Sequence, residues 1–279
     1  MANFIVTGGE MNETLKLLAI FPHPDDETLG LGSTLARYSA QGVETYLVCA
    51  TRGERGWFDS ERPNPGLKQV GRIREDELRC AAEHLGIREV SFLDYIDGDV
   101  DQARAEEIIG KLVSPIRRIK PQVVVSFGPD GAYGHPDHIA LSQFTNGALV
   151  CAADRNFVDG NVQAPHRVLK FYYMVDSRDV VNFANEAFGG ISMEIDGVTR
   201  RHVAWEDWEI TTRLENHKYL AKVQKAMLCH KSQLPGYGTM AEWSLDELAR
   251  VFGTGHFYRA FSLVNSGRKK ETDLFEGIA

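Results

Sequence analysis

Leu15-Lys16-Leu17-Leu18-Ala19-Ile20-Phe21-Pro22-His23-Pro24-Asp25-Asp26-Glu27 decides the fold. Residues 15–21 are apolar apart from Lys16, the pattern of a buried strand. Residues 29–38 repeat their apolar positions at helical spacing, so a helix over about 27–41 is expected, ended near Gly42. The turn between them holds one imidazole and three carboxylates in five positions, with prolines at 22 and 24. Adjacent carboxylates repel one another. A cation relieves that repulsion, and His with Asp is a common zinc ligand pair.

One turn does not close a metal site. Gly134-His135-Pro136-Asp137-His138 is the natural second half. It follows another buried-strand run, 123–127, and precedes a helical pattern at 139–150. Each turn thus carries His-Pro-Asp. In a parallel sheet both turns lie at the carboxyl ends of the strands, where open α/β folds bind ligands. Further strands are expected at 43–50, 90–93 and 168–175. Further helices are expected at 68–85, at 103–119 with an interruption near Pro115, and at 211–229. The alternation predicts an α/β fold with a Rossmann-like, mostly parallel sheet covered by helices on both faces. Residues 1–14 read as a leader of low structural content, and 176–210 resist assignment. The loop at 52–67 is long and rich in glycine, proline and charge, which is usual for functional loops.

The 279 residues read as one domain, with a core at about 15–152 and an elaborated C-terminal third at 153–279. A hydrophobic content of 43% supports a sizeable core, yet no apolar run approaches the ~20 residues of a membrane helix. The net charge of −8 argues against nucleic acid as a partner. The N-terminus lacks a basic, apolar signal pattern. Cys49, Cys80, Cys151 and Cys229 are scattered without a C-x-x-C, so free thiols in a reducing cytoplasm are expected. His84, His166, His202, His217 and His256 have no spacing partner and read as structural. A homo-oligomer is compatible with the sequence.

The two His-Pro-Asp turns resemble the signature of the PIG-L/LmbE-like zinc-dependent de-N-acetylases, which include the mycothiol- and bacillithiol-pathway deacetylases. Thr51-Arg52-Gly53-Glu54, Arg74-x-x-Glu77, Asp97-Gly98 and His230-x-Ser232-Gln233 are similar to further family motifs. The resemblance covers residues 15–152, with an echo near 217–234. It implies that His23, Asp26 and His138 hold zinc, or Fe²⁺ in its place. Three protein ligands leave a position for water, the arrangement of a catalytic zinc. It also implies Asp25 as general base and His135 as oxyanion stabiliser or acid, with Asp137 orienting the His135 ring. Arg74 and Asp97 would bind the sugar, although Arg74 also suits a solvated face. Glu27 suits support of a ligand from behind, and Tyr133 a mobile lid.

The activity so implied is hydrolysis of an N-acetyl group from an N-acetylglucosamine-type conjugate. The sequence leaves open an amidase cutting a larger acyl group. A non-haem iron oxygenase, since two His and one carboxylate also suit Fe²⁺, and a non-catalytic sugar-binding module are the remaining alternatives. The choice of Asp25 or His135 as general acid is likewise open.

Overall fold

The computed structural model describes residues 14–59, 61–158, 163–195, 197–267 and 269–278. The expected leader at 1–14 falls almost wholly outside them. The first half of the chain runs β1 (Lys16–Phe21), α1 (Asp26–Leu29), α2 (Gly32–Ala40), β2 (Glu44–Thr51), α3 (Leu67–Leu85), β3 (Glu89–Tyr95), α4 (Ala105–Ile119) and β4 (Val123–Phe127). It continues through α5 (Gly131–Gly134), α6 (Pro136–Ala153), β5 (Lys170–Met174), α7 (Arg178–Phe188), β6 (Ser192–Ile195) and β7 (Val198–Arg201). The last elements are β8 (Thr212–Glu215), α8 (Leu220–Met227), α9 (Leu245–Phe252) and β9 (Thr254–Ser262).

Seven strands form one sheet in the order β3-β2-β1-β4-β5-β9-β8. The first five are parallel, while β9 and β8 are antiparallel. Successive side chains on a strand face opposite sides, and β1 shows why its continuous apolar run is needed. Leu17, Ala19 and Phe21 pack with Leu35 of α2 and Leu78 of α3. Leu18 and Ile20 pack on the other face with Ile108 and Leu112 of α4 and Leu141 of α6. Strand order reverses between β1 and β4. The crevice at such a switch point, beyond the carboxyl ends of the strands, is where ligands bind in open α/β sheets.

Several expectations need correction. The helix expected at 27–41 is two helices, parted at Gly30-Leu31, where Gly30 lies so close to the Met174 side chain that a Cβ has no room. Helix α4 runs unbroken through Pro115, because Leu112, Val113, Ile116 and Ile119 are all buried along its face. The helix expected at 211–229 begins as strand β8. Thr212 and Leu214 are buried while Arg213 and Glu215 alternate outward, a period of two. Residues 176–210 contain α7 and the hairpin of β6 and β7. The cysteines also depart from expectation. Cys80 and Cys229 form a disulfide across 149 residues of sequence, because α3 and α8 pack side by side and bring their Cα atoms to 5.8 Å. Cys49 and Cys151 are free.

Candidate metal centre and active site

His23 leaves the end of β1 and is buried. Its Nε2 lies 3.1 Å from Asp137 Oδ2 and 3.2 Å from Asp97 Oδ1. Carboxylates on both sides of Nε2 hold the ring proton there and turn the Nδ1 lone pair the other way. That lone pair faces His138 Nε2 at 3.3 Å and Asp26 Oδ2 at 3.5 Å. Asp26 Oδ1 is 3.6 Å from His138 Nε2. A tetrahedral ion with bonds of ~2.0–2.1 Å needs donors roughly 3.3–3.5 Å apart. The three groups have the donor chemistry for such an ion; the pairs from His23 Nδ1 match its spacing, and the pair of Asp26 Oδ1 with His138 is slightly wider. His23 also groups with Asp97 and His135 in a second, overlapping cluster. The first cluster suits an ion better, because it leaves Nε2 to its carboxylates, the outer-shell arrangement typical of a ligating histidine. Burial pushes the His23 imidazolium down, but Asp137, Asp26 and Asp97 outweigh it and hold the metal-free group well above its ordinary value. A metal must displace that proton. His138 is buried too, and burial with the neighbouring His23 and His135 pulls it well below the ordinary imidazole value.

Asp25 has φ 106° and ψ −26°, a conformation rare for any residue but glycine. Its neighbours hold it there. The Asp25 carbonyl accepts from Thr28 N at 3.0 Å and Leu29 N at 2.9 Å, and its N–H donates to Glu27 Oε2 at 2.9 Å. Strain of this kind persists where the surroundings over-determine it, often at active sites. The Asp25 carboxylate meets Arg74 Nη2 at 3.3 Å and accepts from the Tyr237 hydroxyl at 3.2 Å. Burial raises the carboxyl to about 6, against the pull of Arg74. Glu27 is fully buried behind the turn, where His230 Nε2 lies 3.0 Å from its Oε1.

The second turn differs from expectation in one respect. Asp137 does not orient His135. Its carboxylate accepts from Gly98 N at 2.7 Å and Val100 N at 3.1 Å, and reaches His23. The reason is geometric, since side chains two apart at a helix start do not face one another. His135 is instead oriented by the Asp137 backbone, whose N–H donates to His135 Nδ1 at 3.1 Å. That leaves the proton of the neutral ring on Nε2. Burial and the charge of His23 pull His135 below the ordinary imidazole value, so it does not favour the imidazolium.

Arg74 is only 3% exposed, which overturns the solvated-face reading. Its guanidinium donates to the Gly53 carbonyl at 3.0 Å and the Pro24 carbonyl at 2.5 Å. Gly53, at φ 67°, packs directly on that guanidinium, and a side chain at 53 would collide with it. Asp97 stands in the site beside His23, with its Oδ2 accepting from Arg55 N at 3.2 Å. Tyr133 packs edge-on against His138 with ring centres 5.3 Å apart. Tyr237 and Arg200, which donates to the Gly134 carbonyl at 3.0 Å, were absent from the sequence reading. Only the glycines flanking Tyr237 could have hinted at its place.

Residues 18–149 match the PIG-L family, described as GlcNAc-PI de-N-acetylase. The chain is 33% identical to a 1D-myo-inositol 2-acetamido-2-deoxy-alpha-D-glucopyranoside deacetylase of Streptomyces avermitilis, over 95% of this chain and 97% of the relative. Among solved structures it resembles an N,N'-diacetylchitobiose deacetylase from Pyrococcus horikoshii (TM-score 0.67, 21% identity, 88% and 83% of the two chains). It also resembles a 4-carboxy-2-hydroxymuconate hydratase from Pseudomonas putida KT2440 (TM-score 0.61, 18% identity, 91% and 99%). These two share the fold, and a fold by itself does not carry a reaction. The near full-length match to the Streptomyces deacetylase, on top of the paired His-Pro-Asp turns, decides the assignment: the chain belongs to the PIG-L family of de-N-acetylases, hydrolases of amide C–N bonds.

Proposed function

We propose that this protein removes the acetyl group from the 2-acetamido group of a glucosamine–inositol conjugate, with zinc or Fe²⁺ held by His23, Asp26 and His138. The observation that carries the metal reading is the facing of His23 Nδ1 and His138 Nε2 at 3.3 Å with Asp26 beside both. The inositol conjugate is the substrate named for the Streptomyces avermitilis relative. A bound zinc supplies a Lewis acid for the acetamide carbonyl and lowers the pKa of a water that it holds.

The chain's own residues do the rest. Asp25, raised to about 6, is a base that is ionised at neutral pH yet strong enough to take a proton from the attacking water. Arg74 and Tyr237 fix the direction of its carboxylate. His135, neutral with its proton on Nε2, is a donor for charge developing on the acetamide oxygen. Asp137 and Asp97 keep His23 in the tautomer that presents Nδ1. The amine leaves with a proton, which on this reading Asp25, having just received one, returns. Asp97, which stands beside His23, and the described residues of the loop at 52–67 are the groups we assign to gripping the sugar and its aglycone.

The C-terminal third joins the same domain on this reading, because β9 pairs with β5 and extends one sheet. No helix among the described residues is long and apolar enough to cross a membrane. We place the protein in the cytoplasm, with Cys49 and Cys151 as free thiols and the single disulfide open to reductants at exposed Cys80.

The test is a product assay on the glucosamine–inositol conjugate carrying either an acetyl or a larger acyl group. The expected outcome is acetate and free amine in equal amounts, with the larger acyl compound cut far more slowly. Preferential release of the larger acid would make the protein an amidase instead. Release of no acid from either would remove the hydrolase reading of this substrate.

A further inference from the structure

Cys80 and His84 stand one turn apart on α3, and Cys229 lies two residues past the end of α8. Their donor atoms all lie within 4.8 Å of one another. We propose that these three residues form a second metal site, which takes a thiophilic divalent cation such as zinc once the Cys80–Cys229 disulfide is reduced. The cluster shares no ligand with the His23, Asp26 and His138 group.

Three observations support this. The donors are two sulfurs and one imidazole, a set that zinc accepts, with a fourth position open to solvent. Cys80 and His84 are exposed, so a cation has a path in, while Cys229 is buried and held. Spacing of i and i+4 puts Cys80 and His84 on one face of α3, and helix packing rather than sequence proximity brings Cys229 to them. With Zn–S bonds of ~2.3 Å the two sulfurs of a tetrahedral site sit roughly 3.8 Å apart. The side chains reach that separation by rotation, from Cα atoms already 5.8 Å apart.

The chemistry balances with a dithiol as reductant. The dithiol gives two electrons and two protons to the disulfide and becomes a disulfide itself. The two protein thiols then lose one proton each to solvent as the cation binds, and two negative sulfurs offset its charge. Either closure, sulfur–sulfur or sulfur–metal–sulfur, ties α3 to residue 229. The next residue is His230, whose ring meets Glu27 behind Asp25. Ser232 follows, its N–H and hydroxyl donating to Glu77 on α3 at 2.8 and 2.7 Å, and Gln233 donates to the Gly56 carbonyl at 3.0 Å. The site therefore fastens the strip that backs the first turn.

Cobalt reads the site directly, because only a thiolate ligand gives an intense sulfur-to-cobalt charge-transfer band. Oxidised and fully reduced protein, with free thiols counted in each, would be titrated with Co²⁺. The expected result is the band in reduced protein alone, saturating at about one extra ion per chain. Cys229→Ser should abolish it, as should Cys80→Ser, the milder change at an exposed position. His84→Ala removes a ligand outright and should weaken cobalt binding by at least the ~10–100-fold that losing even an outer-shell partner costs. No band in reduced wild-type protein whose thiols are all free would overturn the proposal. So would a band that survives either serine variant, or one whose affinity is indifferent to His84→Ala. The readout does not depend on turnover, so its failure leaves the deacetylase reading untouched.

Discussion

Asp25 and Asp26 carry the same carboxylate one residue apart, and the backbone gives them different surroundings. Asp26 opens α1 and faces His23 and His138, while the left-handed turn at Asp25 sends its carboxylate to Arg74 and Tyr237. Asp25→Asn keeps shape and polarity but accepts no proton from water. General base catalysis supplies ~10²–10⁴-fold, so kcat should fall by about that factor with metal content unchanged. Asp26→Asn should lose metal, and excess zinc should partly restore its rate. Rescue of Asp25→Asn by zinc, and not of Asp26→Asn, would reverse the two assignments. The residue types at both turns were legible because each motif concentrates donors within five positions. The partner of Asp137 was not, because sequence spacing does not say which way a side chain leaves the start of a helix. Its carboxylate crosses to His23, 114 residues away.

Helix α3 is the element that ties the first His-Pro-Asp turn to the rest of the molecule. Arg74 reaches from it to Pro24, Gly53 and Asp25, and Glu77 reaches to Ser232. Arg74→Ala leaves two buried carbonyls without that donor and Asp25 without its counter-charge. The expected result is a fall in kcat as well as in kcat/KM, together with a loss of about 1–3 kcal/mol in stability from each unsatisfied carbonyl. Arg74→Lys should not restore it, because an ammonium does not reproduce the guanidinium fork. A rise in KM alone, with kcat and Tm unchanged, would return Arg74 to a purely sugar-gripping role. The strands and the longer helices up to α6 were legible from their apolar runs and periods, while the break at Gly30-Leu31 and the short α5 were not. Beyond α6, β8 was read as helix because four residues of alternation preceded a genuine helical pattern, and β9 has no continuous apolar run. Its burial comes from pairing with β5 and β8, which local sequence does not announce.

At the scale of the whole molecule, Glu271 gathers the antiparallel edge of the sheet. Its carboxylate accepts from Lys170 of β5 at 2.7 Å, Tyr172 at 2.7 Å, Thr212 of β8 at 2.9 Å and Asn265 at 2.6 Å, with Arg259 of β9 at 2.8 Å. Breaking a buried ion pair by removing one partner costs ~3–5 kcal/mol, and Glu271→Gln should lower stability by about that amount in denaturant titration. Burial pushes the Glu271 carboxyl up, but Lys170 and the other donors outweigh it and bring it from 4.5 to about 2. A depressed folded pKa means that its contribution is present above pH 4.5 and is lost as pH falls through about 2. A Glu271→Gln protein as stable as wild type at neutral pH would contradict this account. The metal centre weakens in the same direction. Metal-free His23 holds its proton above the ordinary imidazole range, so metal affinity should fall as pH falls, approaching about tenfold per unit below the raised His23 pKa. Chelator competition at two or three pH values measures it, and an affinity flat with pH would show that His23 Nδ1 is not a ligand.

The central claim is that His23, Asp26 and His138 hold one metal ion that the hydrolysis requires. Acetate release from the N-acetylglucosamine–inositol conjugate by chelator-stripped protein, before and after zinc is returned, tests it most directly. The account expects negligible acetate from stripped protein and recovery that saturates at about one zinc per chain in oxidised protein, where Cys80 and Cys229 are bonded to each other. Undiminished acetate release from stripped protein would contradict it.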